Sequence, residues 1–362
     1  MAKIAIDARE YSTSTGRYVS KLVENLEKID VHNEYLILLN EKDIKTAKFT
    51  NPNFKAVMTP FKEFSLGEQL GFAKQLYALK ADLVHYGMTQ QPLLYLKRSV
   101  TTVHDLTTAR FTNPDKNKYV FFVKQQVYKV VIWYAAHKSR RVIVPSNYVK
   151  NDLLDFTHTH SKKIVVTYEA ADRISEPPKA VAGLEGKDFL MYIGRPTPHK
   201  NLWRLIEAFS DLKEKRPNLL LVLAGKLDAN YKETQKKVAA KGIEGVVFTD
   251  YISESELRWL YENTKAYVFP SLSEGFGLPG LEAMAHGAPV VSSNATCLPE
   301  IYGDAAHYFD PLSVSSISAA VSEVLDNAEL RKDLINKGHK QVEKYSWNKM
   351  AAETMAVYSA LL

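Results

Sequence analysis

The chain has 362 residues, of which 46% are hydrophobic and 24% charged, and its formal net charge is +6. This length is too great for one ordinary core and fits two α/β domains, and the composition excludes a disordered or fibrous protein. The single cysteine, Cys297, excludes a framework of intrachain disulfides, and no apolar run reaches the roughly 18 residues of a membrane-spanning helix.

The first part of the chain alternates short β-branched runs with amphipathic segments. Residues 4–7 predict a strand, 18–29 a helix and 35–39 a second strand. Further strands are predicted at 83–86, 100–103 and 142–144. This alternation is typical of a doubly wound parallel sheet, so we expect an α/β, Rossmann-like domain over residues 1–169.

A second series of strands follows a change in composition. Residues 170–187 are rich in Ala, Pro, Gly and charge and lack a clear period, which predicts an interdomain linker. A second Rossmann-like domain is predicted over 188–345, with strands at 189–193, 219–224, 246–249, 266–269 and 289–292. The end of the chain has a helical period, and residues from about 346 to 362 could cross back to brace the first domain.

A strand, a glycine loop and a helix start are predicted over residues 269–285. Gly275 and Gly277 free the backbone to approach a ligand, and the helix N-terminus favours a phosphate or sugar hydroxyls. Glu274 lies in the loop and Glu282 a little over one turn into the helix, so both can point at one ligand. The alternative is an ordinary turn followed by a dipole-favoured helical glutamate.

Three more polar residues follow predicted strands. Arg195 and Lys200 lie in the turn after strand 189–193, where they can neutralise the charge of a departing diphosphate. Asn201 is expected to cap the next helix. His104 follows strand 100–103 and is expected to project from its end. In isolation, two turn cations are more often solvated, and a lone histidine is more often structural.

Together these motifs resemble the retaining family-four glycosyltransferases, and within them the mannosyltransferase-like branch that builds bacterial surface polysaccharides. The resemblance covers nearly the whole chain, at residues 6–9, 15–18, 103–106, 144–146, 194–201, 274–285, 298–300 and 308–311. Ser14 and Thr15 stand where many members carry a further glycine, and 169–172 reads Glu-Ala-Ala-Asp in place of Asn-Gly-Val-Asp.

The resemblance implies the GT-B fold, with two Rossmann-like domains facing each other across a cleft and with retention at the anomeric carbon. It implies that the second domain holds a nucleotide-sugar donor, with GDP-mannose as the first guess. Arg195 and Lys200 would bind the diphosphate. Glu274 would bind the transferred sugar and Glu282 the ribose. The remaining implied contacts are His104 to the sugar, the Gly16 backbone to the phosphates, the backbone of Gly275, Phe276, Gly277 and Leu278 to sugar and phosphate, and Tyr251 with Ile252 to the base.

The chemistry expected from these residues needs neither a metal nor a protein nucleophile. No Asp-x-Asp pair is present to carry a divalent ion, and His158 and His160 lack a third zinc ligand nearby. The departing phosphate oxygen can itself take the acceptor proton, which gives retention. We therefore predict no cofactor, and the residues assigned to catalysis are His104, Glu274, Arg195 and Lys200.

Two other functions compete with this one. A nicotinamide-dependent dehydrogenase would need Gly-x-Gly-x-x-Gly after the first strand, where this chain offers only Gly16. A non-catalytic nucleotide-sugar-binding subunit would keep Arg195 and Lys200 without turnover. No nucleic-acid-binding motif is recognisable, so a nucleic-acid partner is not expected.

The sequence also gives expectations for the acceptor substrate and for where in the cell the protein lies. A glycan or a lipid-linked acceptor is expected, in a soluble cytoplasmic protein without an apolar signal segment. Residues 118–138 predict a basic, aromatic helix. It is compatible with peripheral contact at the inner face of the membrane and with a core helix of the first domain.

Overall fold

The computed structural model describes residues 1–13, 15–111 and 118–362. Contacts divide the described chain into two compact units. The first consists of Met1–Ala109, Phe122–Glu169 and Ser346–Leu362. The second consists of Ala170–Tyr345 and the described residues of Arg110–Phe121. Residues 170–187, the predicted linker, contain neither helix nor strand and lie in the second unit.

Strands and helices alternate through both units. The strands in the described ranges are β1 Lys3–Asp7, β2 Glu34–Leu39, β3 Phe54–Met58, β4 Leu83–Tyr86, β5 Ser99–Thr102, β6 Arg141–Val144, β7 Ile164–Val166, β8 Phe189–Ile193, β9 Leu220–Ala224, β10 Val246–Phe248, β11 Ala266–Phe269, β12 Val290–Ser293 and β13 Ala306–Phe309. The α-helices are α1 Arg17–Ile29, α2 Ala73–Leu79, α3 Thr107–Arg110, α4 Lys118–Lys138, α5 Asn147–Thr157, α6 Leu202–Lys215, α7 Ala229–Ala240, α8 Glu254–Asn263, α9 Leu278–Ala285, α10 Leu298–Tyr302, α11 Val314–Asp326, α12 Ala328–Val342 and α13 Trp347–Ser359.

Within the described residues, the first unit contains a seven-stranded parallel sheet in the order β3-β2-β1-β4-β5-β6-β7. Its central strands are buried along most of their length, as the apolar runs predict. Strand β3 was not predicted. It lies at the edge and buries only Phe54 fully, and its sequence, Phe-Lys-Ala-Val-Met, has only a short apolar run after a charged residue.

The C-terminal helix α13 belongs to the first unit, where it packs against α1. The buried ring of His85 on β4 bonds to the Tyr358 hydroxyl at 2.5 Å and to the Thr102 hydroxyl at 2.8 Å. Burial lowers the pKa of His85 to about 3, so the ring is neutral. A neutral imidazole can donate through one nitrogen and accept through the other, which joins α13 to the sheet.

Helix α4 has two different faces. Tyr128 and Ile132 are buried in a core cluster with Val142 and Val144 of the sheet. Val127 and Trp133, on the other face, are half exposed. The interpretation of 118–138 as a core helix therefore describes one face only. No helix in the described ranges is both long and apolar enough to cross a membrane.

The second unit, as described, contains a six-stranded parallel sheet in the order β10-β9-β8-β11-β12-β13. Strands β8 and β11 are neighbours, so the segments that follow them start at the same edge of the sheet. The predicted fold class, α/β with two Rossmann-like doubly wound sheets, is confirmed.

Candidate active site

The loop after β8 carries two of the predicted cations. Gly194 has a φ of +142°, and its carbonyl accepts a 2.7 Å hydrogen bond from the Tyr231 hydroxyl. The Arg195 side chain is 79% exposed, and its Nη2 lies 3.3 Å from Oδ2 of Asp228. An ion pair this exposed is weak, so the guanidinium can readily change partner.

Lys200 and Glu274 form the tightest charged contact of the site. Lys200 ends the 3₁₀ turn Pro198–Lys200, and its Nζ lies 2.7 Å from Oε1 of Glu274. Both side chains are mostly buried, with 22% and 12% of their surfaces exposed. The structure thus brings together two residues that the sequence assigned to one site, from the loops after β8 and β11.

Asn201 does not cap α6 as expected. Its φ is +57° and its side chain makes no capping bond. Instead the buried amide nitrogen donates to the carbonyls of Pro270, at 3.0 Å, and Pro311, at 2.7 Å. Asparagine tolerates this left-handed conformation better than most residues, which explains the choice. Asn201 ties the loop that carries Lys200 to the loop that leads to Glu274.

The backbone of Glu274 is held by the segment after β12. Its N–H donates to the Thr296 hydroxyl at 3.3 Å, and its carbonyl accepts from the Cys297 thiol at 3.3 Å. Burial raises the pKa of the Cys297 thiol well above its usual value, so the thiol stays protonated and able to donate. The lone cysteine therefore supports the Glu274 loop.

The glycines at the start of α9 pack against Tyr302, a residue that the sequence did not single out. Gly277 has a φ of +90°, and its carbonyl accepts a 2.6 Å hydrogen bond from the Tyr302 hydroxyl. A Cβ on Gly277 would lie 2.6 Å from that oxygen, and one on Gly280 only 2.3 Å. Close helix packing thus requires these glycines whether or not a ligand approaches.

The other predicted contacts near α9 occupy different environments. Phe276 is buried and its ring lies edge-on to Tyr345, with centroids 5.4 Å apart, so only its backbone suits a ligand. Leu278 begins α9, and Glu282 is half-buried on it. Gly275 lies in the loop before the helix. Loop and helix form one continuous segment at the edge where Lys200 lies.

Tyr251 and Ile252 follow β10 at the same edge of the sheet. The Tyr251 side chain is 82% exposed, and Ile252 is half-buried. The preceding Asp250 accepts a 2.8 Å hydrogen bond from the Leu227 N–H and forms an isolated bridge with Gly225. These contacts fix the backbone before Tyr251, while the ring itself extends into solvent.

In the first unit, His104 bonds through both ring nitrogens. Nε2 lies 3.0 Å from the Gly87 carbonyl oxygen, and Nδ1 lies 3.2 Å from Oε1 of Glu169. A backbone carbonyl only accepts, so Nε2 carries a proton, and Nδ1 donates to Glu169 when the ring is protonated. Burial alone would lower the pKa of His104, but the hydrogen bond and charge of Glu169 outweigh it and raise the pKa. The sequence showed Glu169 as a departure from the family pattern and missed this pairing.

Gly16 lies at the start of α1, in a loop folded back on itself. Its N–H donates to the carbonyl and hydroxyl oxygens of Thr13, both at 3.0 Å. A Cβ at this position would lie 1.6 Å from the Glu10 carbonyl oxygen, so no side chain fits. Of Ser14 and Thr15, which stand where many family members carry a further glycine, Ser14 lies outside the described residues.

Over the ranges that the structure describes, no group of three or more His, Cys, Asp or Glu side chains could hold a metal ion. His158 has a φ of +55° at the end of α5, and both His158 and His160 are exposed.

Two glycosyltransferase family models together match most of the chain. The model of Glycosyltransferase Family 4 matches residues 15–173, and that of Glycosyl transferases group 1 matches residues 175–341. The O-antigen chain mannosyltransferase B of Escherichia coli is 29% identical over 303 residues, which are 80% of this chain and 77% of that protein.

Two solved structures share the fold. Sucrose-phosphate synthase from Thermosynechococcus elongatus has a TM-score of 0.78 at 17% identity, covering 100% of this chain and 99% of that one. Anabaena HepE in complex with UDP and glucose has a TM-score of 0.73 at 16% identity, covering 99% and 100%. At sequence identities this low, the structural similarity shows a shared fold and nothing more.

Proposed function

This chain belongs to the family-four glycosyltransferases and has their GT-B fold, and from that premise we propose a metal-independent transfer of a hexose, with retention, from a nucleotide sugar. The observation that carries the proposal is the Lys200–Glu274 pair, 2.7 Å apart beside the loop of Arg195. Family membership also removes the dehydrogenase alternative.

The proposed task of Arg195 and Lys200 is to stabilise the departing nucleoside diphosphate. Arg195 is exposed and weakly paired, so a diphosphate can displace Asp228 and accept both guanidinium bonds. Lys200 has three N–H donors, so it can keep Glu274 and still donate to a phosphate oxygen. Charge fixed before the substrate arrives is the arrangement that lowers a barrier most effectively.

The N-terminus of α9 adds a second source of positive potential. The N–H groups at the start of a helix and its dipole attract anions. Tyr302 holds this terminus through Gly277, so its direction is fixed. We assign the backbone from Gly275 to Leu278 to the donor's sugar and phosphate, Glu282 to the ribose, and Tyr251 with Ile252 to the base.

The state of His104 bears on where the acceptor's proton goes. The raised pKa of His104 favours the protonated ring, in which both nitrogens donate, and in that form His104 cannot serve as the base. Glu274, whose charge is partly neutralised by Lys200, is a poor nucleophile and is better suited to bind sugar hydroxyls. Both points support a departing phosphate oxygen as the proton acceptor on the same face of the sugar. For His104 to donate to the transferred sugar, a sugar hydroxyl must replace Gly87 or Glu169 as the acceptor of one of its N–H groups.

We take the donor sugar to be mannose, carried as GDP-mannose. The support is the similarity to the mannosyltransferase of Escherichia coli, over 80% of this chain. A glycan or lipid-linked acceptor in surface polysaccharide synthesis follows from the same relative, whose name refers to an O-antigen chain.

The test is nucleoside diphosphate release from a panel of nucleotide sugars by the purified protein. GDP release from GDP-mannose above that from the other donors is expected, and it should fall about 10²-fold or more in Arg195→Ala and Glu274→Ala. Lys265→Ala is a matched control, because it removes an exposed pair with Asp188 at the opposite end of β8 and β11. Donor-induced thermal stabilisation without turnover, even with acceptors added, would favour the non-catalytic binding subunit.

A further inference from the structure

The first unit exposes apolar side chains on three segments. The outward face of α4 carries five of them, each 50–60% exposed: Phe122, Val123, Val127, Val130 and Trp133. The segment before α2 adds Phe64, Leu66 and Leu70, and the loop after β4 adds Leu94 and Leu96, with exposures from 55% to 82%. We call these ten residues the apolar face.

The segments adjoin one another. A groove of about 300 Å³ is lined by Phe64 and Leu66 on one side and by Val127 of α4 on the other. The loop after β4 is joined to α4 by the hydrogen bond from the Tyr134 hydroxyl to the Leu93 carbonyl. Soluble monomers rarely expose large contiguous apolar patches, and such patches mark interaction sites.

The segment that carries Phe64 and Leu66 is anchored from within. Glu68 is buried, accepts from Arg9 at 2.8 Å and accepts from the Phe64 N–H at 2.8 Å. Arg9 is itself paired with Asp7 at 2.8 Å. The hydrogen bond from the Phe64 N–H to the Glu68 carboxylate fixes the backbone at Phe64, so the exposure of the Phe64 ring is part of the fold.

The exposed charges around the apolar face have one sign. Over residues 61–80, 90–98 and 122–138, all of them described, the exposed charged side chains are Lys62, Lys74, Lys80, Lys97, Arg98 and Lys124. The acidic residues in these segments are Glu68, which is buried, and Glu63, which is half-buried. Burial raises the pKa of Glu63 to about 7, so even this carboxyl carries a reduced charge near neutrality.

We propose that the apolar face binds the surface of a bilayer that contains anionic lipids. Aromatic and aliphatic side chains would enter the headgroup and acyl boundary, and the lysines would contact lipid phosphates. Since no described helix could span a bilayer, the contact is peripheral. The interaction does not depend on the transfer reaction and can be measured without it.

Charge favours a bilayer over a second copy of this chain. A two-fold symmetric interface would place the same surface on both partners. The cations of one copy would then face those of the other, which opposes association. An anionic membrane complements both the apolar centre and the basic surroundings.

The test is co-sedimentation of the full chain with vesicles of phosphatidylcholine alone or with added phosphatidylglycerol. The wild type is expected to pellet with the anionic vesicles at least tenfold more than with the neutral ones. Leu66→Glu, Trp133→Glu and the pair Lys97→Glu with Lys124→Glu should each reduce pelleting several-fold. Leu312→Glu is the matched control, since Leu312 is 64% exposed in the second unit, and it should pellet like the wild type.

Three results would overturn the proposal. The first is no pelleting with either vesicle. The second is pelleting that responds to the lysine pair but not to Leu66→Glu or Trp133→Glu, which would mean adsorption by charge alone. The third is a dimer in light scattering that Trp133→Glu dissociates, which would assign the face to a second copy. Circular dichroism of each variant checks that it remains folded.

Discussion

The ammonium of Lys200 lies 2.7 Å from the carboxylate of Glu274, although 74 positions separate them in the chain. The contact exists because β8 and β11 are neighbouring parallel strands, so the loops that follow them start at one edge. Asn201, bonded to the Pro270 carbonyl, holds these loops together.

Replacing either member of this pair should weaken diphosphate binding and turnover. Lys200→Met removes the cation, and Glu274→Gln removes the group that holds it, so each should lower turnover by about 10²-fold or more. The two changes should be non-additive, because the residues are in direct contact. Calorimetry with the nucleoside diphosphate and steady-state kinetics on the four proteins of the cycle measure the coupling.

A matched cycle uses Lys265→Met and Asp188→Asn, the pair 3.0 Å apart at the other end of the same strands. It should leave diphosphate binding unchanged and show little coupling, since both side chains are well exposed. If the effects of Lys200→Met and Glu274→Gln on diphosphate binding and turnover were additive and as small as those of the control cycle, the Lys200–Glu274 pair would not belong to the site.

Glu169→Gln should lower the pKa of His104. The wild-type pKa is raised, so the stabilisation from the pair is complete below the unfolded value of roughly 6.5 and is lost as pH rises through the raised value. The wild type should therefore exceed Glu169→Gln in thermal stability at pH about 6, and the difference should shrink at pH about 9. NMR titration of the histidines, with His104→Asn to assign the resonance, measures the pKa directly.

Glu323→Gln serves as the control for that titration, because it removes a carboxylate 2.9 Å from His307 in the second unit. It should leave the His104 resonance unchanged. A His104 resonance that titrates identically in Glu169→Gln and the wild type would contradict the effect of Glu169 on the pKa of His104.

Gly280→Ala should disrupt the start of α9. The new Cβ would lie 2.3 Å from the Tyr302 hydroxyl oxygen, and overpacking of this kind costs about 1–3 kcal/mol. Both the melting temperature and donor affinity should fall. Gly67→Ala is the control, since its Cβ would meet no atom closer than 3.4 Å and its backbone is helical. Similar melting temperatures for the two variants would contradict the packing argument.

Asn201→Gly and Asn201→Ala separate the two demands on that residue. Both lose the bonds to the Pro270 and Pro311 carbonyls, which costs about 1–3 kcal/mol when a buried acceptor is left unpaired. Alanine should be the more destabilised variant, because it must also adopt a φ of +57°. The order of their melting temperatures tests this, and a wild-type-like Asn201→Gly would contradict the role of the amide.

Elements whose residues form a recognisable pattern within their own segment could be predicted from the sequence. The central strands are buried apolar runs, and Gly277 precedes a helix whose second residue is proline, so the sheets and the loop of Glu274 were predictable. Strand β3 was missed because its side chains are mostly exposed. Strand β13 was not predicted as a strand; the sequence analysis covered this region only through the family motif at 308–311.

The site details that escaped prediction depend on contacts distant in sequence. The bond from Tyr302 to Gly277 spans 25 positions and that from Asn201 to Pro311 spans 110, and neither leaves a pattern in its own segment. Glu169 did leave a signal, since a carboxylate stands where the family more often has an amide. Its partner, His104, became evident only with the fold, because the bond spans 65 positions.

The most direct test of the central claim is release of the nucleoside diphosphate from the preferred nucleotide sugar in the presence of excess chelator. If Arg195 and Lys200 supply the charge that a metal supplies elsewhere, the rate with chelator should equal that with added magnesium or manganese, and Lys200→Met should lower it about 10²-fold or more under both conditions. A rate that disappears with chelator and returns with a divalent ion would contradict the account.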